Sequence, residues 1–209
     1  QEKLNVDLSF PSAHGGLSTA KANCIVTCGK LEDNDLQYYA RMDVVTGGKI
    51  ATNGEVLSVS EAESVVLVVA AATDYAPIYP TYRTGESEEQ LAKKVDEIIE
   101  KAVQKGYETL KAEHIADYTA LYDKVKFNIG AIDSNITTDR LLKKYRSGII
   151  KPEQKRYLEE MLYNYGRYLT IATSRSTDIL PSNLQGIWNN RDNPPWGSDY
   201  HMNVNLQMN

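Results

Sequence analysis

Residues 65–106 read VVLVVAAATDYAPIYPTYRTGESEEQLAKKVDEIIEKAVQKG, and the periodicity of this stretch changes halfway along it. The unbroken apolar run at 65–72 has the length of a strand, and a strand without polar alternation is expected to be buried on both faces. Pro77 and Pro80 end that pattern. From 86 to 106, Leu91, Val95, Ile98, Ile99, Ala102 and Val103 recur at i, i+3 and i+4, the spacing of one helical face. Thr84 or Ser87 is placed to cap this helix and Gly106 to end it. Strands therefore precede residue 85 and helices follow it, which makes the chain an α+β protein.

Working back toward the N-terminus, KLNVDLSF at 3–10 alternates Leu4, Val6, Leu8 and Phe10 with polar residues, as a half-buried strand does. Residues 24–28 and 36–45 read as further strands. Thr46-Gly47-Gly48-Lys49 is expected to form a tight hairpin returning along Ile50 and Ala51, and Asn53-Gly54 a second turn before a strand at 55–60. The result is an antiparallel sheet or part of a β-sandwich. Cys24 and Cys28 share one face of a strand but lie about 13 Å apart at roughly 3.3 Å per residue, too far for a disulfide. They read as small core residues.

Working forward, a second helix is expected over about 107–124, with Leu110, His114, Tyr118, Leu121, Tyr122 and Val125 on one side. His114 there reads as a packing residue. Residues 127–136 form an extended connector, and Asn135-Ile136-Thr137 matches a glycosylation triplet that arises readily by chance. A short helix at 138–145 follows, with Thr137 or Thr138 as cap. After Pro152, a favourable first helical residue, a strong helix runs to about Thr173. Leu158, Met161, Leu162, Tyr165, Tyr168, Leu169 and Ala172 face one way, and the tyrosine stripe among them reads as core. The sequence contains no internal repeat and no low-complexity tract.

The 209 residues suffice for one or two domains with a sizeable core. A net charge of −5, from 28 acidic and 23 basic residues with no basic stripe, argues against nucleic acid or an anionic membrane as partner. No apolar run approaches the roughly 18–20 residues of a membrane span. Gln1 opens a polar, strand-like segment and not a secretory leader.

The last thirty residues, LPSNLQGIWNNRDNPPWGSDYHMNVNLQMN, have neither strand nor helix period, yet contain both tryptophans, three prolines and seven asparagines. Such a stretch suits a polar ligand better than a core. Asn and Gln amides match the mixed donors and acceptors of neighbouring sugar hydroxyls. Trp188 and Trp196 offer flat faces to the C–H side of a pyranose. Pro194 and Pro195 fix φ, and Gly186 and Gly197 permit conformations other residues avoid. The plainer reading is a long connection whose amides fill turns and cap helices. Asp199 and His201 lie in the same stretch.

The runs LPSNLQGIWN, PPWGSDYH and NVNLQMN together resemble the signature segment of the glycoside hydrolase family 95 α-L-fucosidases. HIADYTALYDKV at 114–125 and LYNYGRYLTIATSR at 162–175 are also similar to that family, and the β-rich part more loosely so. The resemblance implies the late part of a β-supersandwich at 1–84, a helical linker at 85–137, and the first part of an (α/α)6 barrel with its signature loop at 138–209. It also implies that the chain starts inside one domain and stops inside another.

Glycoside hydrolysis requires two carboxyl groups, about 6.5–9.5 Å apart for inversion and about 5–5.5 Å for retention. Within the loop only Asp192 and Asp199 carry one. In the resembled family, which inverts, a general-acid Glu and a base Asp come from downstream of the signature, beyond Asn209. The two asparagines of its HxNxN motif position the base and the attacking water, which places those roles on Asn203 and Asn205. The alternative for Asn205 is capping a helix begun by LQMN. In extended backbone, an i, i+2 pair would share one face. The motif's histidine, which contacts the sugar, matches His201, and Asp199 and Trp196 join it as substrate-binding residues. Gly197 and Met202 sit at variable positions.

The resemblance thus implies a segment of an inverting exo-α-L-fucosidase acting on terminal, α-1,2-linked fucose of a glycan, without metal or organic cofactor, inactive as this segment alone. It implies a secreted or periplasmic bacterial location. Uncovered apolar faces at Leu158, Leu162 and Leu169 would favour self-association. The alternatives are an α-L-galactosidase of the same family, since one added hydroxyl is weakly discriminated, and a non-catalytic carbohydrate-binding or structural module. A phosphorylase of related architecture would need a phosphate site, and no Gly-rich or Arg-clustered segment supplies one.

Overall fold

The computed structural model describes residues 2–12, 14–131, 135–175, 181–186, 189–191, 193–202 and 204–208. The chain forms two units, Gln1–Ala112 and Glu113–Asn209. In the first, seven strands among the described residues build two antiparallel sheets. The strands are β1 Leu4–Ser9, β2 Leu17–Lys21, β3 Cys24–Lys30, β4 Gln37–Thr46, β5 Lys49–Asn53, β6 Val56–Ala62 and β7 Val65–Thr73. One sheet has the order β1-β6-β5 and the other β2-β3-β4-β7.

The core lies between them because the two-residue period aims one face of each sheet inward. Ile25, Met42 and Val44 of the larger sheet meet Leu57, Val59 and Ala62 of β6, with Val6, Leu8 and Phe10 closing the margin. Ile25 and Leu57 are fully buried, and each contributes roughly 1.5–3 kcal/mol of apolar burial. Asn53-Gly54 makes the expected turn, Gly54 taking φ +62°, where a side chain would be strained. The Gly54 carbonyl accepts from the Ala20 amide at 2.9 Å, which ties this hairpin to the other sheet.

Three expectations about this unit are corrected. Thr46–Lys49 is not a hairpin, since β4 pairs with β7 and β5 with β6. The four residues carry the chain from one sheet to the other. Thr46 Oγ1 donates to the Ser64 carbonyl at 2.8 Å, holding the crossing point. β7 is not buried on both faces: it is an edge strand, and Leu67 and Val69 are 45% and 55% exposed. Its opposite face is half-buried against α1, whereas the smaller sheet's cluster reaches only Val65. Cys24 and Cys28 alternate with the core residues Ile25 and Thr27, so they sit half-buried on the face away from the core. Burial raises both thiol pKa values.

The Pro77 and Pro80 break is a tied loop. Buried Asp74 accepts from the Gln37 amide at 3.0 Å and from Arg83 Nη1 at 2.9 Å, and the Thr84 amide donates to the Asp74 carbonyl at 2.7 Å. Helix α1, Glu88–Lys105, follows. Its cap is Ser87 with a capping box to Gln90, and Gly106 ends it at φ +77°. Leu91, Val95 and Ile99 are buried, and Arg41 of β4 joins Asp96 at 2.8 Å while binding Asp43 through Nε at 2.6 Å and Nη2 at 2.9 Å. Those carboxylates hold the guanidinium pKa above its ordinary value, the Asp43 hydrogen bond being the largest cause.

Helix α2, Tyr107–Tyr122, crosses the boundary between the units. The second unit adds α3 Thr138–Arg146 and α4 Pro152–Thr173. Leu141 and Leu158 are their buried residues. The tyrosine stripe of α4 departs from the core reading: Tyr165 is 57% and Tyr168 40% exposed. Among the described residues, no helix is long and apolar enough to cross a membrane.

Candidate functional site

The site begins where α4 ends. Arg167 donates to the Tyr122 and Val125 carbonyls, both at 2.8 Å, and its guanidinium lies 4.5 Å from the Tyr122 ring centre. The carbonyl of Tyr122, the last residue of α2, and that of Val125 just beyond it are thereby held, with a cation–π contact added. Tyr122 stacks on Tyr118, which meets Tyr168 of α4 edge-on. Two residues after α4, Arg175 grips Asp117 through two hydrogen bonds at 2.6 and 3.2 Å. That grip holds the Asp117 carboxyl below the usual aspartate range. The Ser174 and Ser182 hydroxyls are hydrogen-bonded, so the chain re-enters beside its point of exit.

The loop is closed by its own polar groups. In the first leg, Asn183 Oδ1 accepts from the Gln185 amide at 3.1 Å and the Asn183 carbonyl from Gly186 at 3.0 Å. Among the described residues, three bonds tie this leg to the last one. The Leu184 amide donates to the Asp199 carbonyl at 3.0 Å, Gln185 Nε2 to the Pro195 carbonyl at 3.1 Å, and the Tyr200 hydroxyl to the Pro181 carbonyl at 3.1 Å. Amides that read as ligand donors therefore serve partly as the clasp.

Within the clasp the turn Pro195–Ser198 winds left-handed, with Trp196, Gly197 and Ser198 at φ +58°, +59° and +52°. His201 and Val204 also have positive φ, at +28° and +67°. Residues with a Cβ pay about 1–2 kcal/mol each for this conformation. The turn leaves Trp196 71% exposed. His201 Nδ1 contacts Asp199 Oδ1, and the His201 ring meets Trp196 edge-on at 5.3 Å and 78°.

Three of the residues expected to form the site are thus in mutual contact: Trp196, Asp199 and His201. Asn205 is exposed and opens the short helix α5, Asn205–Met208, whose first bond runs from the Met208 amide to the Val204 carbonyl. Asn205 therefore occupies the first helical position and not the cap. Val204 is left-handed and Asn205 helical, and the expectation that Asn203 and Asn205 share one face falls on a residue outside the described ones. Asn203 itself, like Trp188 and Asp192, lies outside the described residues. Gln185, Tyr200 and the Asp117–Arg175 pair were missed by sequence reasoning. Only the density of amides hinted at Gln185, and nothing local links residues 117 and 175.

Residues 106–209 match the family model described as the glycosyl hydrolase family 95 catalytic domain. The match starts at the glycine that ends α1. The chain is 37% identical over 179 residues to "Probable alpha-fucosidase A" of Aspergillus niger, covering 82% of this chain and 22% of that protein. It is 34% identical over 166 residues to the protein of the same name from Aspergillus oryzae, covering 78% and 22%. It is 35% identical over 170 residues to "Alpha-L-fucosidase 2" of Arabidopsis thaliana, covering 79% and 20%. The chain spans about a fifth of the length of these curated relatives. The match across the helical unit and its clasped loop, with the agreement of these relatives over most of the chain, shows that the chain belongs to glycosyl hydrolase family 95.

Proposed function

We propose that this chain is a segment of an exo-acting α-L-fucosidase that releases terminal, α-1,2-linked L-fucose from glycans with inversion. The observation that carries the proposal is the clasped loop, which presents an exposed indole beside a carboxylate-paired imidazole on a hydrogen-bonded polar frame. An apolar ring for C–H groups next to hydrogen-bonding side chains is the equipment a pyranose requires. Two fungal relatives and one plant relative named as α-fucosidases support the substrate class.

In this proposal residues 1–84 are the late part of a β-supersandwich, 85–137 a linker, and 138–209 the start of an (α/α)6 barrel. Trp196, Asp199 and His201 bind the sugar, and Asn203 and Asn205 position the base and the attacking water. An amide suits that task, since its oxygen accepts a proton from water while its NH2 orients a carboxylate. The acid and base carboxylates are supplied from beyond Asn209, so the 209-residue chain is inactive, and its uncovered helix faces favour self-association. A secreted or periplasmic address belongs to the same proposal. The relatives matched are fungal and plant, and give no support to a bacterial origin.

The test is release of L-fucose from a Fuc-α1,2-Gal oligosaccharide, by this chain and by a longer polypeptide that includes it, with the matching α-L-galactoside as control. Release by the longer polypeptide alone, with the fucoside preferred, is expected. Release by the 209 residues would overturn the downstream placement of the carboxylates. Preference for the galactoside would move the substrate, and silence of the longer polypeptide on both would leave a binding module.

A further inference from the structure

We infer that Asp199 is a positioning residue: it sets the tautomer of His201 so that the Nε2 of that ring accepts a hydrogen bond from a substrate hydroxyl. The inference rests on the fucosidase reading for the identity of the hydroxyl-bearing ligand, but not for the tautomer.

Asp199 takes its part in the sugar site through His201, from a fixed place in the loop. Its backbone is held on both sides, the amide donating to the Trp196 carbonyl at 3.2 Å and the carbonyl accepting from the Leu184 amide at 3.0 Å. Its Oδ1 is engaged by His201 Nδ1. A carboxylate offers acceptors only, so the hydrogen between these two atoms belongs to Nδ1. In a neutral imidazole the other nitrogen is then bare and accepts.

The ring is fixed from a second side. Trp196 stands edge-on to it at 5.3 Å and 78°, and Gln185 and Leu184 fasten the turn that bears Trp196 and Asp199. His201 is held at φ +28°, a conformation a β-carbon disfavours. Both side chains of the pair are about half exposed, the imidazole at 41% and the carboxylate at 49%, so the ring is reachable by a ligand. A site built to take a hydroxyl proton rejects the analogue that lacks the hydroxyl. His201 is thus assigned to selecting a hydroxyl, and Asp199 to keeping the acceptor bare.

The test is nitrogen NMR on the 209-residue chain labelled at histidine, at a pH where His201 is neutral. The expected wild-type result is a protonated Nδ1 and a bare Nε2. In Asp199→Asn the amide NH2 donates to Nδ1, and the proton is expected to move to Nε2, whereas Asp199→Ala is expected to give a mixture. A bare Nδ1 in the wild type, or an unchanged tautomer in Asp199→Asn, would overturn the proposal. General loosening of the loop would average both nitrogens and so reads differently from the shift in Asp199→Asn. In a longer polypeptide that releases L-fucose, Asp199→Asn is expected to lower kcat/KM about tenfold or more, the loss of one substrate hydrogen bond. No such loss despite a tautomer shift would overturn the substrate-facing role. Failure of the wild-type polypeptide to release fucose, with the tautomer as expected, would sink the fucosidase reading alone.

Discussion

The sandwich between the two sheets and the loop after α4 solve the same problem, holding a chain in one shape, by opposite means. The sheets are held by apolar faces: Ile25, Leu57 and Val59 are almost wholly removed from water. The loop is held by hydrogen bonds among exposed and half-buried groups, with Trp196, Val204 and Met208 left facing solvent. Apolar burial is strong and non-directional, so it tolerates little loss of volume but specifies no orientation. Hydrogen bonds between exposed groups are each worth little, yet they fix direction, which is what a ligand-facing imidazole needs. The region that contributes most to stability therefore carries no proposed chemistry, and the region that carries it contributes little.

That contrast can be broken most directly in the core. Leu57→Ala removes a fully buried side chain from the core face of β6, and a loss of about 2–5 kcal/mol in denaturant unfolding of the first unit is expected. A loss below 1 kcal/mol would mean that the sheets do not depend on this cluster. Thr27→Val sharpens the same point with opposite sign. The Thr27 hydroxyl is buried on the core face without a hydrogen-bond partner, so an isosteric methyl should stabilise by about 1 kcal/mol.

In the loop the expected effects are smaller and local. Gln185→Ala opens one strut of the clasp, and unfolding free energy should change by no more than about 0.5 kcal/mol. The Leu184 amide, whose bond to Asp199 shares that clasp, should exchange with solvent about fivefold faster. A large fall in global stability would put the loop in the same class as the core.

The smallest effect belongs to Asp117. Hydrogen bonding to Arg175 lowers its folded-state pKa. A lowered carboxyl contributes stability that is fully present above its unfolded pKa, roughly pH 4, and is lost as pH falls through the folded value. Asp117→Asn should therefore flatten the acid limb of the helical unit's stability curve below about pH 4 and leave pH 7 behaviour nearly unchanged, because the pair is exposed and screened by salt. An acid limb identical to that of the wild type would remove the ion pair from the account.

Much of this was legible in the residues. The alternation of KLNVDLSF gave β1, the i, i+3, i+4 spacing gave α1, and Pro152 marked the start of α4. At the site, residue type and the resemblance of the loop singled out Trp196, Asp199 and His201, and the structure brings these three together. The Thr46–Lys49 turn was misread because Gly-Gly between two β segments signals reversal without naming the partner strand. The two-sided burial expected of β7 failed for a related reason: an apolar run records what a strand can bury, while its place at the sheet edge decides what is covered.

By itself, then, the sequence determined the kind and order of the elements and the chemical character of the loop, since both follow from interactions within a few residues along the chain. Only the tertiary structure decided which strands pair, which face of β7 stays open, that Asp117 meets Arg175 across 58 residues, and that Asp199 is turned toward His201. The physical reason is that such pairings are chosen by which surfaces can be buried together and by how the chain closes on itself, quantities that no local spacing encodes.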